Sequence, residues 1–228
     1  RQRQMCIRDR LQSGWRSILC CVKIALRNEA VEVVDAALHI LKQSWSEPQI
    51  VASDHLFGEL KGCFLELMAH GNHVEHQSKA IEIVKDGVAI ILDGLSEKDE
   101  GLEVIQLICN MGRTALDHGK SCYHVAYQAL FGLLARPGLK YSNALWEEIL
   151  ENVCESSFGV TELPGKELEA RAGYAEHIRT YFPLLCKLVG HHHIPLHVSV
   201  PRVLDAARRL VLGPATPEEL RTFLISQL

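Results

Sequence analysis

The sequence predicts an all-α protein, an armadillo- or HEAT-like α-solenoid of about ten helices. Apolar residues recur at steps of three and four through most of the chain, which is the period of an amphipathic helix. Short segments rich in glycine, proline, asparagine or serine separate these stretches, and no segment alternates as a strand does. The helices recur as antiparallel pairs without a strict sequence period, so a compact helical bundle is the structural alternative.

The clearest pair of helices lies in residues 121–158. The apolar side of its first helix consists of Val125, Ala129, Leu130, Leu133 and Leu134. This helix should end at Pro137-Gly138, because proline cannot continue the hydrogen-bond ladder and glycine tolerates the turn. Ser142 is then the expected N-cap of the second helix. Its inward residues are Leu145, Trp146, Ile149, Leu150 and Val153. Neither helix can bury its apolar side alone, so the pair requires neighbours.

Five helices are predicted upstream of this pair. The first should begin at Gly14, after an N-cap at Ser13, and end before Asn28. Its inward residues are Ile18, Leu19, Val22 and Leu26, and those of the second helix are Val31, Val34, Leu38 and Leu41. Further helices are expected over residues 50–69, 78–92 and 100–117, of which the last has the most regular pattern.

Three more helices are predicted downstream, over residues 166–188, 200–212 and 217–228. Residues 159–165 form the expected long loop before them, and a second loop is expected over residues 190–195. Thr216-Pro217 has the composition of a helix start, and Glu218 and Glu219 follow where acidic side chains favour the helix dipole.

The overall charge and hydropathy exclude several classes of protein. The formal net charge of −4 argues against a nucleic-acid partner, since such partners usually require a basic domain. No apolar run reaches the roughly 18 residues that span a bilayer. The N-terminus also lacks the apolar core of a signal peptide. These observations predict a cytoplasmic protein.

The first ten residues, RQRQMCIRDR, resemble the translation of a sequencing-library adapter, most clearly in the run Met5–Arg10. We therefore expect residues 1–10 to be an artefact and disordered, as a tag would be. Residues 11–228 are then the helical-repeat domain, and we expect them to be a fragment of a longer protein.

The eight cysteines are interpreted as reduced thiols of a cytosolic protein. Five of them fall on predicted apolar faces: Cys20, Cys63, Cys109, Cys122 and Cys186. The chain contains no CxxC pair, which argues against a redox motif or a zinc ribbon.

Two groups of histidines have spacings that metal ligands also use. The first comprises His70, His73 and His76, and the second comprises His191, His192, His193 and His197. Both lie in or beside predicted loops, and no carboxylate completes either set at a fixed spacing. We interpret them as solvated loop histidines, so that no metal, cofactor or catalytic site is predicted. An enzyme that uses these clusters is a remote alternative.

The three tryptophans, Trp15, Trp45 and Trp146, are expected to pack in the core or between repeats. Glu147, Glu148 and Glu151 lie beside Trp146 and are expected to form a solvated acidic helix face.

Short motifs resemble the helical regions downstream of the exchange domain in large Arf guanine nucleotide exchange factors of the brefeldin-A-inhibited (BIG) type, with the Golgi-specific brefeldin-resistance type as the alternative subfamily. The run that contains Gly14, Trp15 and Arg16 is similar to the opening of the first such region. The central pair of helices matches best, at Leu130, Phe131, Leu133, Leu134, Gly138, Ser142, Trp146 and Glu147. Residues 76–81 and 181–185 resemble two further helices, although Gln77-Ser78 departs from the family's serine-leucine pair. The matches are collinear over residues 13–188.

This resemblance implies a non-catalytic regulatory region that binds protein partners such as small GTPases. The full-length protein would be peripheral to Golgi or endosomal membranes. Leu163-Pro164-Gly165 resembles part of the family's catalytic glutamate loop, but Lys166 stands where the glutamate should be and Glu162 where an arginine should be. We therefore expect no nucleotide exchange by this chain. The alternative function is a stand-alone cytosolic adaptor or scaffold unrelated to Arf.

Overall fold

The computed structural model describes residues 2–47, 50, 53–94, 100–118, 120–136, 141–158, 168–189, 194–213 and 216–227. Within these ranges the chain forms ten α-helices and no strand. In chain order they are α1 Gln2–Ala25, α2 Val31–Trp45, α3 Asp54–His70, α4 Val74–Gly94, α5 Glu100–Asp117, α6 Tyr123–Leu134, α7 Asn143–Phe158, α8 Leu168–Val189, α9 Leu196–Leu212 and α10 Glu218–Gln227.

The helices form two layers. The odd-numbered helices pack side by side in chain order from α1 to α9, and the even-numbered helices do so from α2 to α10. All the main contacts between the described helices join a helix to the next one in sequence or to the next but one. This is the connectivity of an α-solenoid, because a closed bundle would also bring helices together that are distant in sequence. The predicted all-α class and solenoid-like arrangement are therefore confirmed.

A continuous apolar core lies between the two layers. Its largest fully buried side chains include Phe64, Tyr127, Trp146, Phe158, Tyr181 and Phe182. The inward residues predicted for α7 from Trp146 to Val153 are buried, and the bounds predicted for α5 agree with the structure. Burying each large apolar side chain stabilises the fold by about 1.5–3 kcal/mol. The core therefore gives the helices most of the stability that isolated helices lack.

Ion pairs connect helices along the odd-numbered layer. Lys61 Nζ on α3 lies 2.7 Å from Glu103 Oε2 on α5. Arg202 on α9 contacts two carboxylates on α7, at 2.7 Å from Glu147 Oε1 and 3.4 Å from Glu151 Oε1. The acidic face expected to be solvated is therefore partly an interhelical contact. Because these side chains keep between 27% and 55% of their exposure, each pair contributes at most about 1 kcal/mol and mainly orients the helices.

The first helix differs from the prediction in its bounds and in its packing. It begins at Gln2, not at Gly14. The interpretation of residues 1–10 as an artefact stays a prediction. Ile18 and Cys20, predicted to face inward, are exposed, and so is Val31 at the start of α2. The reason is the position of α1 and α2 at the end of the array, where the described chain covers only one side of each helix.

Three of the five cysteines predicted on apolar faces, Cys63, Cys109 and Cys122, are buried free thiols. Burial raises the pKa of Cys63 and of Cys109 to about 12, because a thiolate is poorly solvated in the core. Cys186 is half-buried. The buried thiols therefore remain protonated and behave as small apolar side chains.

Candidate functional site

Five of the eleven motif positions on which the resemblance to the exchange factors rests lie inside the protein. Leu130, Phe131, Leu133 and Leu134 are buried on α6, and Trp146 is fully buried on α7. Trp146 packs edge-on against Tyr141 with ring centroids 5.2 Å apart. These residues build the helical repeat, and among them Leu133 also lines a depression between α4 and α6.

Of the other motif positions that the structure describes, Ser142 lies at a helix start, and the rest are exposed or half-buried. Ser142 Oγ accepts a hydrogen bond from the Leu145 N–H at 3.2 Å, which confirms the predicted N-cap of α7. Gly14 and Arg16 are exposed on α1, and Trp15 is half-buried against the core. Gly138 lies outside the described residues, as does the stretch Leu163–Lys166.

The first histidine group differs from the predicted loop cluster. Because α4 begins at Val74, His76 falls in its first turn and is buried against α2, where Nε2 lies 3.3 Å from Asp35 Oδ1. The expectation of a solvated loop histidine is therefore wrong for His76. His70 is exposed, and His73 is half-buried. In the described part of the chain, no three potential ligands lie close enough to hold a metal ion. Residues 191–193 lie outside the described residues.

Gln77 forms a buried polar connection between three helices. Its Nε2 lies 3.1 Å from the Leu67 carbonyl, 3.3 Å from that of Met68 and 3.2 Å from that of Gly71. Its Oε1 accepts a hydrogen bond from Cys122 Sγ at 3.3 Å. The Gln77 side chain, in the first turn of α4, thus donates to carbonyl groups at the C-terminal end of α3 that have no partner within their own helix. The contact lies beside Cys122, the residue that precedes α6.

In the sequence, Gln77 stands out only as a departure from the family motif. The sequence does contain a signal for the burial of Gln77, since this residue precedes Ile81 by four residues and Val84 by seven. A polar residue in register with an apolar stripe faces the core, where its hydrogen bonds must be made to protein groups. Gln77 is therefore a structural residue, and its position predicts a large effect on stability.

His177 on α8 is the second buried polar residue that sequence analysis missed. Its Nε2 lies 2.9 Å from the Ser157 carbonyl at the end of α7, and Nδ1 has no hydrogen-bond partner among the described residues. Aromatic rings surround the imidazole, with the Tyr127 centroid at 4.5 Å and the Tyr181 centroid at 5.0 Å. Burial lowers the pKa of His177 to about 4, which keeps the ring neutral.

The hydroxyl groups of the tyrosines around His177 have hydrogen-bond partners on α6 and α7. Tyr181 Oη donates to the His124 carbonyl at 3.2 Å and lies 2.9 Å from His124 Nδ1. Tyr127 Oη donates to the Ser156 carbonyl at 3.2 Å. Because the rings fill this region between α6 and α8, the cluster holds the two helices together and is not open to a ligand.

A surface suited to a partner lies on the even-numbered layer, and we call it the α2–α4–α6 face. One depression of about 710 Å³ lies between α2 and α4, with Leu38 and Ile83 among its lining residues. A second, of about 400 Å³, lies between α4 and α6 beside Gly132 and Leu133. Gly132 leaves space there, because a Cβ added to it would meet no atom within 4 Å.

Charged residues on α4 separate the two depressions. Glu82 and Asp86 line both of them, and Lys85 lines the second. We call the two carboxylates the acidic crest of α4. Lys79 Nζ reaches from α4 to Asp35 Oδ1 on α2 at 2.9 Å, and this hydrogen bond lowers the pKa of Asp35. Lys85 Nζ lies 2.8 Å from Glu82 Oε2. Asp86 has no ion-pair partner within the described ranges, so its charge is available to a bound molecule.

The chain matches no protein-family model. No curated protein matches it either. Among solved structures, a chain described as "Computational Design of Self-Assembling Cyclic Protein Homooligomers" is 14% identical and has a TM-score of 0.34. The match covers 97% of this chain and 90% of that chain. A likeness this weak assigns neither a family nor a function.

None of the described helices has the length and apolar character that a membrane-spanning segment requires.

Proposed function

We propose that the chain is a non-catalytic, protein-binding solenoid that serves as a regulatory region of a large Arf guanine nucleotide exchange factor. The observation that carries this proposal is the α2–α4–α6 face, where two neighbouring depressions share Glu82 and Asp86. The collinear motifs over residues 13–188 support the choice of family. In this role the full-length protein acts in vesicle traffic and is peripheral to Golgi or endosomal membranes.

The chemistry of the face favours a helical segment of a protein partner. Two depressions on either side of one helix accept apolar side chains that project from an amphipathic surface. The acidic crest favours a lysine or arginine between those side chains. Small GTPases are the partners that the family resemblance suggests, and their switch regions change conformation with the bound nucleotide.

The test is a binding experiment with the purified full chain and purified Arf-family and other small GTPases. Each GTPase is loaded with GDP or with a GTP analogue, and binding is measured by biolayer interferometry. We expect one GTPase to bind in one nucleotide state only. We also expect the chain alone to leave the rate of release of fluorescent GDP from Arf unchanged.

Two variants map the contact. Asp86→Lys reverses the charge of the crest, and Gly132→Trp fills the second depression. Each should weaken binding at least about tenfold. Glu155→Lys, which changes an exposed residue on α7, is the matched control and should leave binding unchanged. Absence of binding to every GTPase, or equal binding by all variants, would overturn the proposal.

A stand-alone adaptor or scaffold unrelated to Arf is the second candidate function. It is favoured by the burial of Leu130, Leu134 and Trp146, since any helical solenoid needs such packing residues. An adaptor would bind a partner that is not a GTPase through the same face. Its binding would be sensitive to Asp86→Lys and independent of nucleotide.

A further inference from the structure

The two depressions of the α2–α4–α6 face are separated by the width of one helix. The first has Leu38 and Ile83 among its lining residues, and the second has Leu133. The acidic crest lines both, so α4 forms the wall between them. Because neighbouring helices pack about 8–10 Å apart, the centres of the two depressions lie about that far from each other.

Helices α2 and α4 run in the same direction and in register. Lys79 Nζ on α4 lies 2.9 Å from Asp35 Oδ1 on α2. Further along both helices, the indole of Trp45 packs against Gly87. The two helices therefore advance together from the first contact to the second. Lys42 precedes Trp45 by three residues, so it lies within about 5 Å of the level of Gly87.

Helix α6 begins at the level at which α4 begins. Cys122 Sγ, one residue before α6, lies 3.3 Å from Gln77 Oε1 in the first turn of α4. Gly132 is ten residues beyond Cys122, and Gly87 is ten residues beyond Gln77. Since α4 and α6 both line the second depression, Gly132 is nearly level with Gly87 and with the adjacent Asp86. A straight line across the face therefore passes from α2 over Asp86 to the open position at Gly132.

Charge alternates along this line. Lys42 on α2 is exposed and has no ion-pair partner in the described part of the chain. Asp86 stands at the centre of the face, and Arg136, just beyond α6, lines the second depression. The order from α2 to α6 is thus positive, negative and positive. A molecule that lies across the three helices meets a carboxylate at its centre and a positive group toward each end.

Building on the proposed function, we propose that the face binds an amphipathic helix that crosses α4, with two apolar side chains seven residues apart and a lysine or arginine between them. Residues seven apart lie on one side of a helix and about 10 Å from each other, which matches the spacing of the two depressions. A basic residue three or four positions after the first apolar one lies on the same side and meets Asp86. Acidic residues beyond the apolar pair would lie near Lys42 and Arg136.

Other conformations of a bound segment do not reproduce this arrangement. In an extended strand, residues on one side are about 6.6 Å or 13 Å apart, so two of them are too close together or too far apart for the depressions. In a polyproline II helix, residues three apart are separated by about 9 Å, but the residues between them point to other sides and do not reach the crest. An α-helix provides both the spacing and the central basic group.

Selection from a displayed library on the immobilised full chain tests the spacing. One set of sequences contains alanine-rich helices of about five turns with two leucines four, seven or eleven residues apart. Arginine, glutamine or glutamate stands three residues after the first leucine. A second set contains proline-rich segments with leucines three residues apart. We expect helices with a spacing of seven and a central arginine to be enriched at least about tenfold over every other sequence.

Variants of the protein identify the residues that recognise the helix. Selection on Asp86→Lys should favour a central glutamate over arginine, because the charge of the crest is reversed. Gly132→Trp fills the second depression and should abolish the preference for a spacing of seven. Glu155→Lys, at an exposed site on α7, is the control and should select the same helices as the wild type.

Enrichment of another spacing or of the proline-rich set would overturn the proposal, as would the absence of any enrichment. The same central residue selected by the wild type and by Asp86→Lys would also overturn it. A GTPase that binds while the selection favours another spacing would support the proposed function and remove the crossing helix. Enrichment of the expected helices without binding to any GTPase would support the crossing helix and remove the Arf assignment.

Discussion

The indole ring of Trp45 lies directly against the backbone of Gly87, at the contact between α2 and α4. A Cβ placed on Gly87 would overlap Nε1 of the indole. The ring is held there by Phe64, edge-on at a centroid distance of 5.5 Å, and by Phe57 at 5.6 Å. Glycine is therefore required at position 87 because of a close approach between two helices.

Gly87→Ala should destabilise the protein by about 1–3 kcal/mol, since the new methyl group must displace a packed indole. Alanine is intrinsically the better helix former by about 1 kcal/mol, so the steric cost has to exceed that gain. Chemical denaturation measures the net change. Gly132→Ala is the matched control, because position 132 is also helical but open, and it should stabilise by about 0.5–1 kcal/mol. Similar effects at the two positions would contradict the close approach.

Trp146→Ala should cost about 3–5 kcal/mol of unfolding free energy, because the indole is fully buried in α7 and its removal leaves a large cavity. The neighbouring Glu147→Ala removes only a surface ion pair to Arg202 and should cost less than about 1 kcal/mol. Urea denaturation of both variants distinguishes the two roles. An unchanged midpoint for Trp146→Ala would place the ring on the surface.

Gln77→Leu should destabilise the protein by about 1–3 kcal/mol, because it leaves the buried carbonyls of Leu67 and Gly71 without this side-chain donor. Leucine keeps a similar volume, so the loss reports hydrogen bonding and not a cavity. Hydrogen exchange should become faster for amides at the end of α3 and the start of α6. Gln128→Leu, at an exposed site on α6, should leave both measurements unchanged.

His177 should make stability depend on pH in the acidic range. Its pKa is about 4 in the folded protein, below the ordinary value of 6.5, so the unfolded chain binds more protons between these values. The stabilisation by the neutral ring is therefore complete above about pH 6.5 and is lost as the pH falls toward 4. Its full size is about 3 kcal/mol. His124, whose pKa is also lowered by burial, adds a contribution of the same sign.

His177→Gln removes this titration and retains a donor for the Ser157 carbonyl. Unfolding free energies measured at several pH values should fall less steeply with acidification for this variant than for the wild type. His55→Gln, which changes an exposed histidine on α3, should follow the wild-type curve. Parallel curves for all three proteins would show that His177 is not buried in its neutral form.

The sequence alone was sufficient to predict the features that depend only on residues close to one another in the chain. The spacing of apolar residues predicted α5 and the buried face of α7, and Ser142 was recognised as an N-cap because capping involves only neighbouring residues. The same rules placed Trp45 and Trp146 in the core. These features follow from helix geometry and require no knowledge of which helices meet.

The roles of Gln77 and His177 depended on the tertiary structure. Each has its hydrogen-bond partners on another helix, at the end of α3 and of α7 respectively. Because both side chains are polar, the sequence favours a surface position for each of them. Each nevertheless lies at the helical spacing of the neighbouring apolar residues. The cost of burial is offset only by acceptors that folding brings together.

The sequence by itself determined that the chain forms amphipathic helices arranged in pairs, because periodicity and capping are local properties. Only the tertiary structure decided which apolar faces are covered. Ile18 and Val200 have the same helical spacing as buried residues, yet they are exposed, because no described helix lies beyond α1 or α9 in the odd-numbered layer. A hydrophobic pattern records that a face is suited to burial, and the presence of a neighbour decides whether it is buried.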